Sequence, residues 1–420
     1  MVLCKGSVSQ LKDRAILHSD ANSFYASVEI VLNPKLRGKA VAVCGSTDER
    51  HGIVLAKSEQ AKKFGIKTGM ANWQAQQCCK DLIIVHPRYD YYLKFSKLLH
   101  GIYRRYTDKV EPFGMDECWL DITASAREPM EIAEEIRQAV EDELGLTVSI
   151  GVSFNKIFAK LGSDMKKPNA ITEINRENFK EKVWGLPCSE LLYCGTATTA
   201  KLQRWMIRTI GDLAKQDGER MRSRLGKNGY DLWRFANGLD DSRVAHQDFC
   251  APAKSIGHGI TCVSDIETPE EAYKVIVALS QDIGYRLRAM NLRAKGIHLF
   301  AKDTNLFYYG WQAKIEVPTQ DEMYIAEVAF KILKDNYVWH RYIRALTISA
   351  ISLEPADTVE QTTLFFDYEK QDKRKAINLA MDNIRERYGK GVVKPCVILD
   401  EEKIPKTNHD DVIMPSYMYR

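Results

Sequence analysis

Asp116 and Glu117 stand side by side in Phe113-Gly114-Met115-Asp116-Glu117-Cys118-Trp119-Leu120-Asp121-Ile122, after a glycine turn and before an apolar run. Two adjacent carboxylates are ordinarily solvated; to do chemistry they need a third. Asp20, in Ala15-Ile16-Leu17-His18-Ser19-Asp20-Ala21-Asn22-Ser23-Phe24-Tyr25, supplies it. Three carboxylates brought together repel one another unless cations hold them. A set of hard oxygen donors suits Mg²⁺, which keeps waters and substrate phosphates as its other ligands. The chemistry implied is that of a Mg²⁺ site open to water and phosphate.

The flanking residues say how the carboxylates are positioned. Lys109-Val110-Glu111-Pro112-Phe113 and Cys118-Trp119-Leu120-Asp121-Ile122 read as two strands of a hairpin with Asp116 and Glu117 at its tip. Ala15 to Leu17 begins a strand that ends at Asp20, followed by a helix with Asn22 or Ser23 as N-cap and Phe24, Val28 and Val31 on one buried face. A long helix is expected from Tyr91 to Tyr106, with Leu93, Leu98, Ile102 and Tyr106 inward, and a second from Met130 to Leu144, burying Ile132, Ile136 and Val140. The strand Thr147–Val152 and a helix from Asn155 to Met165 complete a strand–helix–strand–strand–helix–strand order. That order is ferredoxin-like and sets strand ends beside the hairpin tip.

Taken together, Asp20…Phe24-Tyr25-Ala26…Glu29 and Met115-Asp116-Glu117-Cys118-Trp119-Leu120-Asp121 resemble the catalytic segments of the Y-family (translesion) DNA polymerases of UmuC/DinB type. The resemblance runs from about Ile16 to Phe365. It implies an α+β multidomain protein. The expected parts are a ferredoxin-like palm (1–32 and 78–168), small fingers (33–77) and a helical thumb with a helix-hairpin-helix (169–239). A linker (240–252), an α/β little finger (253–355) and a tail (356–420) follow. The activity implied is template-directed, low-fidelity translesion DNA synthesis in DNA damage tolerance. Its cofactor would be two Mg²⁺ ions per active site, held by Asp20, Asp116, Glu117 and the carbonyl of Ala21.

The same resemblance places Tyr25 beneath the sugar of the incoming nucleotide, where it excludes a 2′-hydroxyl, with Phe24 beside it. Lys62, in the fingers helix Ser58–Phe64, and Lys167, just before Pro168-Asn169, would grip the triphosphate. Family members often carry a Thr and a Tyr on the fingers element; Ala56 and Glu59 stand there in this chain. Tyr193-Cys194-Gly195-Thr196-Ala197 resembles the thumb hairpin, with Ala197 replacing its second glycine. Gly195, Thr196 and Lys201 are thus expected on DNA phosphate. Strands Lys295–Phe300 and Ala345–Ala350 and helices Glu270–Met290 and Tyr324–Asp335 fit the little finger, with Arg286 and Arg293 as DNA contacts. In the tail, Gln361-Thr362-Thr363-Leu364-Phe365 resembles a bacterial sliding-clamp peptide read through Gln361, Leu364 and Phe365. Lys373 to Tyr388 is a charged helix with an apolar stripe of Ile377, Ala380 and Ile384.

Composition agrees with this reading. The chain has 420 residues, 45% hydrophobic and 28% charged, enough for several cores. It shows no apolar run long enough for a membrane span, and its ten scattered cysteines lack CxxC spacing. A cytoplasmic monomer acting on primer-template DNA and deoxynucleoside triphosphates is expected. The net charge of +4 permits nucleic-acid binding without demanding it. Two other classes share part of the pattern. An accessory protein bridging DNA and the clamp would not need all three carboxylates. A nucleotidyl cyclase would have no use for a thumb hairpin or a clamp peptide.

Overall fold

β1 (Ile16–Ala21) is buried along its whole length. Ser23, left-handed at φ 51°, turns the chain into α1 (Phe24–Leu32), which buries Phe24, Ala26, Val28 and the carboxylate of Glu29. A small sheet follows, built from β2 (Val41–Cys44) and β3 (Val54–Lys57), the helices α2 (Glu59–Lys63) and α3 (Asn72–Cys78), and β4 (Ile83–Val85). β2 lies in the middle, antiparallel to β3 and parallel to β4. α3 and β4 are additions to the sequence reading. Both are short, and β4 is completed only by its pairing with β2. The structure, a computed structural model, describes residues 13–48, 50, 52–359, 367–389, 391–399 and 403–405. Residues 13–44 and 54–250 form one compact unit and the remainder a second.

The first unit continues with α4 (Tyr89–Tyr103), β5 (Val110–Pro112), β6 (Glu117–Asp121), α5 (Pro129–Leu144), β7 (Val148–Ser153), α6 (Lys156–Met165) and β8 (Ile171–Ile174). Its sheet has the order β5-β6-β1-β7-β8, with β1 antiparallel to both β6 and β7. This is the ferredoxin-like arrangement, extended by β8. Alternation along the central strands separates two faces. Leu17, Leu120 and Ile150 meet Tyr92, Leu99, Tyr103, Ile132 and Ile136 of α4 and α5, whereas Ile16 and Trp119 meet Ala159 of α6. A Cβ on Gly151 would overlap the Ala159 carbonyl, so glycine there lets α6 lie directly on β7.

Two expectations shift here. β1 runs through Asp20 into Ala21, because it is paired on both sides and its polar residues find buried partners. His18 Nδ1 meets Ser163 Oγ at 2.9 Å, and the Tyr103 hydroxyl donates to Ser19 Oγ at 2.8 Å. α4 turns Tyr92, Phe95, Leu99 and Tyr103 inward and leaves Leu98 exposed. Its phase is set by large aromatics that an aliphatic count passes over.

Helices α7 (Phe179–Val183), α8 (Thr196–Arg204), α9 (Ile210–Ala214) and α10 (Gly218–Ala236) pack Val183, Leu202, Ile210, Leu213 and Leu232 into one core with Ile157, Phe158 and Leu161 of α6. Beyond them the chain lies along the first sheet. Val244 is buried beside Ile16 and Trp119, and the Ala245 amide donates to Glu111 Oε2 at 2.9 Å.

The second unit is a four-stranded antiparallel sheet backed by two helices: β9 (Ser255–Ile266), α11 (Pro269–Ala289), β10 (Leu292–Asp303), β11 (Tyr308–Thr319), α12 (Glu322–Asn336) and β12 (Ile343–Pro355), in the order β11-β10-β12-β9. β10 and β12 contain the expected strands; β9 and β11 were not anticipated. α13 (Tyr368–Tyr388) contains the expected charged helix and begins five residues earlier. Ile377, Ala380 and Ile384 face solvent, while Asn378, Asp382 and Arg385 turn inward. Asp382 takes a two-point contact from Arg288, which also meets Glu322. Charge pairing, rather than the apolar stripe, thus sets which face of α13 is inside. No described helix is long and apolar enough to cross a membrane.

Candidate active site

Cross-strand register brings the carboxylates together. Asp20 on β1 is the direct partner of Glu117 on β6, and directly opposed residues project from the same face of a sheet. The Ala21 amide donates to the carbonyl of Asp116 at 3.0 Å, tying the hairpin tip to the end of β1. Gly114, at φ 152°, takes a conformation that favours glycine and allows the tip to fold there.

The electrostatics follow from this crowding. Burial, reinforced by the charges of Asp20 and Glu117, pushes the Asp116 carboxyl up to about 7. Burial also raises Asp20, against the opposing pull of Lys160 and Lys167. Burial alone would raise Glu117 as well, but contact with His18 and the charge of Lys160 outweigh it and hold Glu117 below the usual range. Carboxylates that raise one another are a set that divalent cations would relieve, and their oxygens are the hard donors Mg²⁺ prefers. The residues therefore fit such ions. Among the described residues, however, no three His, Cys, Asp or Glu side chains converge as ready ligands for one ion. Lysines engage the oxygens instead.

Lys167 Nζ lies 2.7 Å from Asp20 Oδ2. Lys160 Nζ lies 3.1 Å from Glu117 Oε2 and 3.4 Å from Asp20 Oδ2. Sequence reasoning singled out Lys167 and missed Lys160, His18 and Asp164. His18 is fully buried, edge-on to Trp119, with Nε2 3.5 Å from Glu117 Oε2. The available signal was the spacing in α6: Lys160 and Asp164 are four residues apart and so share one helix face, with Lys167 just past the helix end.

Phe24 is core, and Tyr25 is half-buried. The Tyr25 ring stacks on Tyr92 at 4.3 Å with 11° between planes, and Tyr89 meets it edge-on at 5.9 Å. The Tyr92 hydroxyl donates to Glu29 Oε1 at 2.7 Å, and Arg88 grips the same carboxylate from Nε and NH2. Burial raises the Tyr25 hydroxyl well above its ordinary value, and the charge of Asp116 adds to this, placing the ring within the field of the carboxylates.

Ser23 takes the N-cap position of α1, yet its side chain caps nothing there. Its Oγ donates to Glu59 Oε1 at 2.8 Å, which also receives Lys62 Nζ at 2.5 Å. Glu59 thus joins α2, and with it Lys62, to the turn after Asp20. Gly195 is the N-cap of α8, and Gly195, Thr196 and Lys201 are exposed. In the second unit, Arg286 donates to the Gly257 carbonyl and pairs with Asp282, each at 2.7 Å. Arg293 is 7% exposed and held by Glu354 and the Thr358 carbonyl. Both guanidiniums are engaged within the fold. Gln361, Leu364 and Phe365 lie outside the described residues.

Comparison with known proteins shows the family. Residues 19–164 match the model of the impB/mucB/samB family and residues 253–364 that of its C-terminal domain. The chain is 45% identical over 391 residues to DNA polymerase IV of Acetivibrio thermocellus, covering 92% of this chain and 98% of that one. It is 34% identical over 385 residues to DNA polymerase IV 1 of Halalkalibacterium halodurans, covering 91% and 92%. Among solved structures it resembles a Y-family DNA polymerase chimera, Dbh-Dpo4(243-245)-Dbh, with a TM-score of 0.71. That likeness covers 80% of this chain and 98% of the other at 23% identity, a similarity of fold.

Proposed function

We propose, since the chain belongs to the impB/mucB/samB family of DinB-type Y-family DNA polymerases, that Asp20, Asp116 and Glu117 are the residues at which it extends DNA. The protein is a template-directed translesion DNA polymerase. The observation that carries the residue assignment is the register that sets Asp20 opposite Glu117 and ties Asp116 to the end of the same strand.

Asp20, Asp116, Glu117 and the carbonyl of Ala21 would hold two Mg²⁺ ions. When bound, such ions make the primer 3′-hydroxyl a better nucleophile and offset charge on the departing pyrophosphate. The other groups act directly on substrate. Lys167 and Lys62 hold the triphosphate, whose growing negative charge their ammoniums offset. Tyr25, kept in one orientation by Tyr92, lies beneath the sugar and leaves no room for a 2′-hydroxyl. Phe24 anchors the helix from which Tyr25 projects.

In this assignment the β1-centred sheet is the palm and the β2-centred sheet the fingers. The four helices α7–α10 are the thumb, and the second unit is the little finger. The fingers are small, with helices of five and seven residues, in keeping with tolerance of distorted templates. Exposed amide groups at the start of α8, with Lys201, contact phosphate without reading sequence. Arg286 and Arg293 reach DNA only if released from their internal partners. Gln361, Leu364 and Phe365 supply the sliding-clamp contact, and the enzyme works as a cytoplasmic monomer. Primer extension opposite undamaged and abasic templates tests the reading. Extension on both is expected; tight DNA binding with no extension would overturn it.

A further inference from the structure

The charged groups around Asp20 alternate in a closed circuit. Lys167 Nζ is 2.7 Å from Asp20 Oδ2 and 2.9 Å from Asp164 Oδ1. Lys160 Nζ is 3.4 Å from Asp20 Oδ2, 3.1 Å from Glu117 Oε2 and 3.1 Å from Asp164 Oδ2. Each lysine is therefore shared between the inner carboxylates and Asp164. Asp164 sits near the C-terminal end of α6, and its side chain is 36% exposed against 8% for Asp20.

We propose that Asp164 is a positioning residue that sets how firmly Lys160 and Lys167 hold Asp20 and Glu117, and thereby how readily those oxygens accept a divalent cation. The inference rests on the metal-binding role given above to Asp20 and Glu117. It goes beyond it by assigning a function to a carboxylate outside that set.

An ammonium and a divalent cation compete for the same carboxylate oxygens and repel one another. For a cation to bind, the lysines must give ground while staying close enough to serve the triphosphate. Lys160 is only 12% exposed and cannot simply retire into water. Asp164 offers each lysine a second oxygen on the far side, and its own exposure makes a charge there inexpensive. Were Asp164 neutral, both ammoniums would lean further onto Asp20 and Glu117. As an ordinary helix-surface partner, by contrast, it would add slightly to helix stability and leave cation binding alone.

The test is direct Mn²⁺ binding to the full chain without nucleotide, followed by the loss of the free-ion electron paramagnetic resonance signal. Asp164→Asn should weaken binding by roughly fivefold, the order of one partly exposed ion pair, while Asp164→Glu keeps it. In a Lys160→Met, Lys167→Met background, Asp164→Asn should have no further effect. Wild-type affinity in Asp164→Asn overturns the inference. So does an equal loss in both backgrounds, since Asp164 would then act only as a distant charge. Should the double-lysine variant not fold, the Asn and Glu variants at 164 decide alone. Asp116→Ala separates the two layers. If it binds Mn²⁺ like the wild type, the metal reading fails and takes this inference with it. If it loses binding while Asp164→Asn does not, only this inference fails.

Discussion

Asp20 and Glu117 face each other across the β1–β6 ladder and share the ammonium of Lys160, at 3.4 and 3.1 Å. One lysine thus bridges carboxylates whose residues lie almost a hundred positions apart in the chain. The site is built from β1, the hairpin tip and α6 together.

Replacing Tyr25 with Ala removes the ring stacked on Tyr92. Discrimination against ribonucleotides should fall on the order of a hundredfold, the scale of rejecting one hydroxyl by shape. Specificity constants for paired deoxy- and ribonucleoside triphosphates measure this. An unchanged ratio would mean Tyr25 is ordinary core.

Glu29 is 1% exposed and serves both Arg88 and Tyr92. Glu29→Ala strands the Tyr92 hydroxyl and unpairs Arg88 beside a packed core. A loss of about 1–2 kcal/mol is expected, the scale of one stranded buried hydroxyl, since Arg88 is 41% exposed and turns to water; the urea transition of the variant reads it. Ribonucleotide discrimination should weaken as well, because Tyr92 would no longer be held against Tyr25.

Gly151→Ala places a methyl against the Ala159 carbonyl. α6 must move off β7 at a cost of about 1–3 kcal/mol. Since α6 carries Lys160, incorporation should slow by more than the lost stability explains. Nucleotide incorporation measured at temperatures where the variant remains folded separates the two effects.

His100 gives a pH signature. Burial, with the charge of Arg104 adding to it, lowers its imidazole to about 4. Between the ordinary value near 6.5 and about 4, the unfolded chain binds a proton that the folded one refuses. Its contribution is fully present above pH 6.5 and is lost as pH falls toward 4, to a limit of about 3 kcal/mol. Urea unfolding at pH 7, 5.5 and 4.5 should show a slope that His100→Phe flattens.

Much of this was legible from residues alone, and the exceptions have physical causes. Asp116 and Glu117 stood out as charge on a turn flanked by β-favouring residues, and the family resemblance singled them out together with Asp20. α5 was legible because Ile132, Ile136 and Val140 repeat at helical spacing. Lys160 was hidden because a lysine on an amphipathic helix usually faces water; here Gly151 draws α6 so close to the sheet that its polar edge meets the carboxylates. The internal partners of Arg286 and Arg293 were only partly legible: Asp282 stands four residues before Arg286 on α11, whereas the Gly257 carbonyl and Glu354 come from other elements. α13 misled through its apolar stripe, since the partners of its charged face, Arg288 and Glu322, lie far away in sequence.

The most direct measurement is single-turnover nucleotide incorporation on a primer-template by wild type and Asp116→Ala, alongside the affinity of each for the same DNA. Incorporation should fall on the order of a thousandfold or more while DNA affinity is kept, because the role proposed for Asp116 is at the reacting phosphate and not on the duplex. Incorporation near the wild-type rate would contradict the assignment of the hairpin tip as the catalytic centre.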